Sequence, residues 1–560
     1  MFSSFRSAMT WVHTWFGLVL GFLLVVIFFF GSLSVFDREI DRWAIPETRF
    51  EHQPMPSFDA RLRPIFESIQ PDPNELAQAR ERVGTLPEKL RLMNWSAYTT
   101  HRDPVLTLYA EYAVPNPSDP DDHVHGHVTI DPRSGKLLQN DRLAIGSAFF
   151  YPMHISLHVQ WHDLGYWLVG VAALVMLVLL LSGVVIHKKL FREFFTFRAH
   201  KHTQRSKLDL HNLTGVVALP FHIMFPLTGL VIFAGIYFPV SQTLLKPLAE
   251  KHEQIEAQAR GLPHQPSGVA APLSSVDAMV VEAKRRWAKR GMPGEVGFLQ
   301  VTHVGDKSGY VSIFRAGSDR VTLVGQAVHF EAATGRVIYE EPPPSAVSGI
   351  SEFLTGLHLQ HFQHWLLRWL YVFGGFSGCI CIATGLVFFV GKRKRRHAAE
   401  GVHGARWVDA LAVATVTGTV IATLGILVAN RLLPEGLDQR ATWERGAFWA
   451  CWSMSLVHAV IRSAPVLQAR ISPAWREQCH AIAGLAVIAV LLNWVTTGDH
   501  LGRTLARGYY PVAGLDLALL ATAAIALAAA RHLRAREATP MPEERDGFSV
   551  DTLAVDAADG

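Results

Sequence analysis

The long runs almost free of charge constrain this chain more than any other feature. Eight are present: Thr10 to Phe36, Leu164 to Ile186, Leu210 to Phe238, Leu366 to Val390, Val408 to Ala429, Ala447 to Ile461, Ala481 to Val495 and Val512 to Ala530. About 20 apolar residues wound as a helix cross the hydrocarbon core of a bilayer, so the expected fold class is a mainly α-helical membrane protein of about eight spans. The sixth run is the shortest. Basic residues cluster at the span ends: Lys188, Lys189, Arg192, Arg198, Lys201, Arg205 and Lys207 follow the second run, and Lys392, Arg393, Lys394, Arg395 and Arg396 follow the fourth. The positive-inside rule places both loops, 188–209 and 392–406, in the cytoplasm with the two termini. The formal net charge of +4 is thereby explained by topology and lipid contact, and no nucleic-acid partner is expected. The first run lacks a small-residue cleavage site and reads as a retained anchor. Cys379, Cys381, Cys451 and Cys479 have no familiar metal or redox spacing and read as buried thiols.

Within residues 1–395 a unit is repeated. His13 is followed by Gly17 and Gly31, and His211 by Gly215 and Gly229, at the same offsets of four and eighteen. Each histidine opens a span (1–36 and 210–238), each span leads into a non-membrane segment (37–161 and 239–365), and each segment returns through a second span (162–187 and 366–391). The first segment predicts a short helix at Asp59 to Ile69 and strands at Leu90 to Tyr98, Val105 to Tyr112 and His123 to Leu138, the last broken by the turn Asp131-Pro132-Arg133-Ser134-Gly135. The second predicts a helix over Val276 to Lys289, capped by Ser274 or Ser275, and strands at Val296 to His303, Tyr310 to Phe314, Gln326 to Phe330 and Arg336 to Tyr339. These are read as two separate α+β domains. The returning spans match through Leu157-His158-Val159-Gln160 and Leu357-His358-Leu359-Gln360, and through Trp167/Gly183 and Trp369/Gly385. Two copies of equal orientation imply a pseudo-twofold axis along the membrane normal. That axis sets His13 against His211 and His158 against His358. Four further spans in 407–530 and a tail, 531–560, expected to be disordered, complete the chain.

Ionisable residues inside or bordering a membrane span are costly, so paired histidines at span ends point to function. His222 stands eleven residues beyond His211, turned by only about 20° and raised by roughly 16 Å on an ideal helix, so it shares that face. A single histidine at a helix end is often a cap or a carbonyl donor, and the weight therefore falls on the repeat. His154, His361 and His364 compete with the strand-side pair, His361 being the main rival of His358. His187 reads as interfacial. His458 and His480 are a lesser further pair. His123, His125 and His127 alternate along one strand face, which is either an exposed polar strand or a metal-holding one.

The histidine and two glycines of the first and third spans, the Asp-Pro-Arg-Ser-Gly turn and the Leu-His entry to the returning spans resemble the PepSY-associated transmembrane helix family. The resemblance covers roughly residues 5–395, most specifically Asp209 to Gly229. It implies two periplasmic PepSY-like domains in a bacterial inner-membrane protein. It also implies haem b, two by the pairing above, ligated by histidines at span ends, and a role in reducing ferric siderophores. The sequence holds no glycine-rich nucleotide fingerprint, so the electrons would come from a flavodoxin-like protein, a separate reductase or quinol. Two alternatives stay open: a PepSY-domain regulator or inhibitor of a periplasmic peptidase, and an iron or siderophore transporter. A transporter would use charged or broken-helix features at the midplane, where Pro220, Pro226 and Asp516 are the candidates.

Overall fold

The computed structural model describes residues 4–98, 103–116, 122–138, 142–187, 203–237, 251, 255, 259–322, 326–343, 345–399, 405–463 and 472–538. The expected basic loop 188–209 falls largely outside these residues, as does the tail beyond 538. Helices dominate: α1 (Phe5–Ser34), α2 (Asp37–Ala44), α3 (Arg63–Ser68), α4 (Pro73–Val83), α5 (Tyr151–Ile155), α6 (Leu164–Ile186), α7 (Thr203–Val217), α8 (Leu219–Ile232), α9 (Val276–Lys289), α10 (Ala346–Leu359), α11 (Trp365–Ala399), α12 (Ala405–Val413), α13 (Thr419–Leu432), α14 (Arg440–Arg462), α15 (Pro473–Thr497) and α16 (Tyr510–Ala538).

Among the described residues six helical segments are long and apolar enough to cross a membrane: α1, α6, α11, α12 continuing into α13, α15 and α16. The protein is therefore a multi-pass membrane protein. The expected third run is broken into α7 and α8, bent by 63°. Pro220 sits in the first turn of α8 and has no N–H for the carbonyl one turn before it, so the ladder parts at Ala218. The expected sixth run lies in α14, which begins with Arg440, Glu444 and Arg445 and falls short of the same apolar character.

The repeat packs as a closed ring. Helix α1 lies against both α6 and α11, while α7 lies against α11 and α8 against α6. These contacts are what a pseudo-twofold relation between the copies produces. Helices α13 to α16 form a second bundle, joined to the first by a core that includes Phe30, Trp43, Phe149, Phe448 and Ile482. Buried charges are paired at this junction: Arg49 with Asp499 at 2.8 Å, and Arg440 with Glu444 at 3.2 Å.

The strands are β1 (Arg91–Tyr98), β2 (Leu106–Ala113), β3 (His123–Ile130), β4 (Val296–Thr302), β5 (Tyr310–Arg315), β6 (Ala327–Glu331) and β7 (Val337–Glu340). All seven agree with the alternation in the sequence. The expected pair of sheets is instead one antiparallel sheet in the order β3-β2-β1-β4-β5-β6-β7. The copies join where β1 pairs with β4, from Asn94 opposite Thr302 to Tyr98 opposite Phe298. Fusion of the three strands of one copy with the four of the other gives a shared core containing Phe66, Trp95, Trp287, Leu299 and Phe330. The capping is also exchanged between copies. Asp277 accepts from Ser57 Oγ (2.5 Å) and Phe58 N (2.7 Å), and Asp59 accepts from Ser275 Oγ (2.7 Å) and Val276 N (3.2 Å).

Candidate functional site

Four histidines of the ring share one hydrogen-bonding arrangement. His13 Nδ1 lies 3.0 Å from the Leu179 carbonyl and 3.1 Å from Ser182 Oγ on α6. His211 Nδ1 lies 2.7 Å from the carbonyl of Cys381, the repeat partner of Leu179 on α11. His154 Nδ1 lies 2.9 Å from the Ile27 carbonyl on α1. His358 Nδ1 lies 2.8 Å from Thr228 Oγ1, whose own proton goes to the Met224 carbonyl at 2.6 Å. Carbonyl and hydroxyl acceptors put the ring proton on Nδ1 in all four. The lone pair is left on Nε2, which makes no hydrogen bond among the described residues. A hydrogen-bond acceptor on one ring nitrogen is how metal-ligating imidazoles are commonly fixed in tautomer and orientation.

The repeated glycines explain themselves at these rings. A Cβ on Gly183 would stand 3.3 Å from the His13 ring and one on Gly385 3.2 Å from the His211 ring. On Gly31 it would stand 2.8 Å from His154, and on Gly229 3.0 Å from His358. A side chain at any of the four positions would crowd its imidazole.

The rings come together in two pairs. His13 and His211 have ring centres 6.2 Å apart with planes at 84°, and His154 and His358 6.0 Å apart at 22°. Two imidazoles that share one metal ion have centres roughly 6 Å apart, and both pairs stand at that distance. The chemistry of the donor set and the glycine clearances fit the same group. On α1, Ile27 is fourteen residues beyond His13, which separates the two levels by roughly 21 Å.

A cavity of about 450 Å³ adjoins the strand-side pair. His154, His358, Gly31 and Gly229 line it, with Leu24, Ile27 and Phe28 on its apolar wall and Arg38, Tyr98 and Tyr151 where it approaches the strands. Arg38 is tied there to Asp103 at 3.0 Å. Burial pushes the His358 imidazolium down to about 3, with His154 adding to it, and burial also lowers His154. Both rings are therefore neutral at physiological pH.

The remaining expected residues are placed as follows. His222 is fully buried with Nε2 3.2 Å from the Gly374 carbonyl, its Nδ1 has no partner, and its ring meets Phe28 edge-on at 5.9 Å. His361 lines the same cavity as His358. His158 is not the partner of His358. Its Nε2 lies 2.9 Å from the Phe149 carbonyl and its ring stacks on Phe149 at 4.5 Å. The reason is local: α5 ends at Ile155, and Leu157 and His158 take left-handed backbone angles that turn the side chain away. His154, on the last turn of α5, takes the place expected of His158. His458 bonds Glu477 at 3.0 Å.

Comparison with known proteins agrees with this architecture. An uncharacterised protein of Pseudomonas aeruginosa is 27% identical over 413 residues, covering 70% of this chain and 96% of the relative. The model of the PepSY-associated TM region matches residues 10–392, which is the repeat with all four paired histidines. The chain thus belongs to the PepSY-associated TM region family.

Proposed function

We propose that this protein is an electron conduit of the bacterial inner membrane, with one haem b at each histidine pair, that reduces ferric siderophores on the periplasmic side and releases iron(II). The observation that carries the reading is the duplicated pair of imidazoles, each ring held through Nδ1 and cleared by a repeat-related glycine, with His13 and His211 held at the repeat-related carbonyls of Leu179 and Cys381. In this reading the eight apolar runs are eight spans, both termini are cytoplasmic, and the strand layer is periplasmic.

Bound haem would supply one-electron chemistry at a potential set by its axial ligands and surroundings. The chain supplies the rest. His13 and His211 would hold one group and His154 and His358 the other. The apolar wall of Leu24, Ile27 and Phe28 excludes water, and the rigid helices hold the two levels at a fixed separation. His222 and Phe28 fill the interior of the ring as packing residues. Each iron(III) takes one electron, supplied by a flavodoxin-like protein, a reductase or quinol, and the resulting iron(II) binds oxygen chelators more weakly.

The test is a reduced-minus-oxidised absorption spectrum of the detergent-purified chain, with haem counted per chain. A b-type spectrum near two haems per chain is expected, falling by one in His13→Ala or His211→Ala and by one in His154→Ala. A haem-free chain after haem-replete expression overturns the reading.

A further inference from the structure

The strand layer carries a set of metal-ligating residue types outside the helix ring. Strand β2 buries Leu108, Ala110 and Tyr112 on the helix-covered face, and β3 buries Val124 and Gly126 there. The alternation of a strand then sends Glu111, His123 and His125 to the other face. Register completes the cluster, because Glu111 stands directly opposite His125 and Ala113 opposite His123.

The three side chains converge. His123 Nδ1 is 3.5 Å from Glu111 Oε1, and the His123 and His125 rings meet at 4.8 Å with their planes perpendicular. One ligating atom from each of the three lies within 4.8 Å of the other two.

Each side of the cluster is also braced. Asn94 on β1 donates Nδ2–H to Glu111 Oε2 at 2.6 Å, which fixes the carboxylate and turns its other oxygen toward His123. Glu75 accepts the His125 backbone N–H at 2.7 Å and lies 3.2 Å from His125 Nδ1. A carboxylate on one nitrogen leaves the other as the ligand, and outer partners of this kind orient metal-binding imidazoles. A groove of about 420 Å³ runs beside the cluster, with Ser96, Tyr109 and Gln300 on its floor, so an ion there keeps open coordination positions.

We propose that Glu111, His123 and His125 form a binding site for one divalent first-row transition-metal ion, held by two imidazoles and one carboxylate. The donor set selects zinc, iron(II), cobalt or nickel over magnesium and calcium, which take oxygen ligands. The site stands independently of the helix-ring histidines and of what they carry.

The experiment uses the full chain in detergent, dialysed to equilibrium against buffered free Zn²⁺, with metal per chain counted by atomic emission. Zinc at other histidines is common to every sample and cancels in the comparison. The wild type is expected to hold one more zinc per chain than the His123→Ala/His125→Ala variant and than Glu111→Gln, which keeps the shape of the side chain. His52→Ala, elsewhere on the same layer, is expected to hold the wild-type number. Magnesium at the same concentration is expected to leave the count unchanged. Equal zinc in the wild type and in folded Glu111→Gln, judged by circular dichroism, overturns the proposal.

Discussion

His154 lies beside His358 with ring centres 6.0 Å apart and planes within 22° of parallel, although the two residues come from different copies of the repeat. Each is held by the first helix of one copy: Ile27 on α1 receives His154, and Thr228 on α8 receives His358. The pair is thus assembled by four elements, and a change in any of them should reach it.

Gly31→Val and Gly229→Val should each disable the strand-side pair while sparing the other. A Cβ at these positions would stand 2.8 and 3.0 Å from the imidazoles, and valine adds two methyl groups beyond it. Haem content should fall from near two to near one per chain, with the remaining signal lost only on adding His13→Ala. Unchanged content in both variants would remove the clearance argument.

Substitution of His158 should behave differently from substitution of its neighbour. His158→Ala loses one hydrogen bond and a ring stack, a loss of about 1–2 kcal/mol in stability. Its haem content should match the wild type, whereas His154→Ala loses a full equivalent. The pyridine haemochrome assay distinguishes the two, and the opposite ranking would restore His158 as the ligand.

Acidification should weaken the fold through the strand-side pair. The unfolded imidazoles titrate near about 6.5, whereas burial holds His358 down to about 3 and also lowers His154. Between those values the unfolded chain binds more protons, so this contribution is whole above pH 6.5 and shrinks as pH falls toward 3. Asp41 contributes in the opposite sense, because burial raises its carboxyl to about 7. The comparison is therefore between the wild type and His154→Asn/His358→Asn. The thermal midpoint of the double variant should fall less between pH 7.5 and pH 5, and parallel curves would contradict the assignment.

Glu444→Ala should be the most destabilising of these changes. The carboxylate accepts from Leu143 N (2.7 Å), Asn430 Nδ2 (2.9 Å) and Arg440 Nε (3.2 Å), and Arg440 and Glu444 are both buried. Removing it leaves a buried guanidinium without its anion, at a cost of about 3–5 kcal/mol. Nanoscale scanning fluorimetry in detergent should show a clear drop in unfolding midpoint, and a shift of under a degree would show that the bundle tolerates the bare cation.

The repeat made much of this structure legible. Identical offsets identified His13 and His211 as a pair, and strand alternation located six strands to within a residue or two, while the third ends at Ile130, where the Asp131 turn begins, and not at Leu138. The strand-side pair was harder for a specific reason. His158 stands nine residues before Trp167 and His154 thirteen, against eleven from His358 to Trp369, so either choice needs a shift of two. Spacing is then silent, and what decides is the end of α5 at Ile155, a local backbone feature without a proline or glycine to announce it. The Leu-His match drew attention to His158, whose ring turns to Phe149 while His154 meets His358. The break at Ala218 was signalled by Pro220, but within an apolar run a proline is equally compatible with a kink. The joining of β1 to β4 was hidden because strands record which face is buried and not which neighbour they choose.

That joint has a mechanical meaning. Five registered residue pairs bind β1 to β4, so the two copies are riveted together on one side of the bundle. A carrier that works by swinging one copy against the other would have to tear this seam in every cycle. The proposed conduit asks the opposite of its scaffold, that the stations along it keep their spacing, and a paired seam suits that demand.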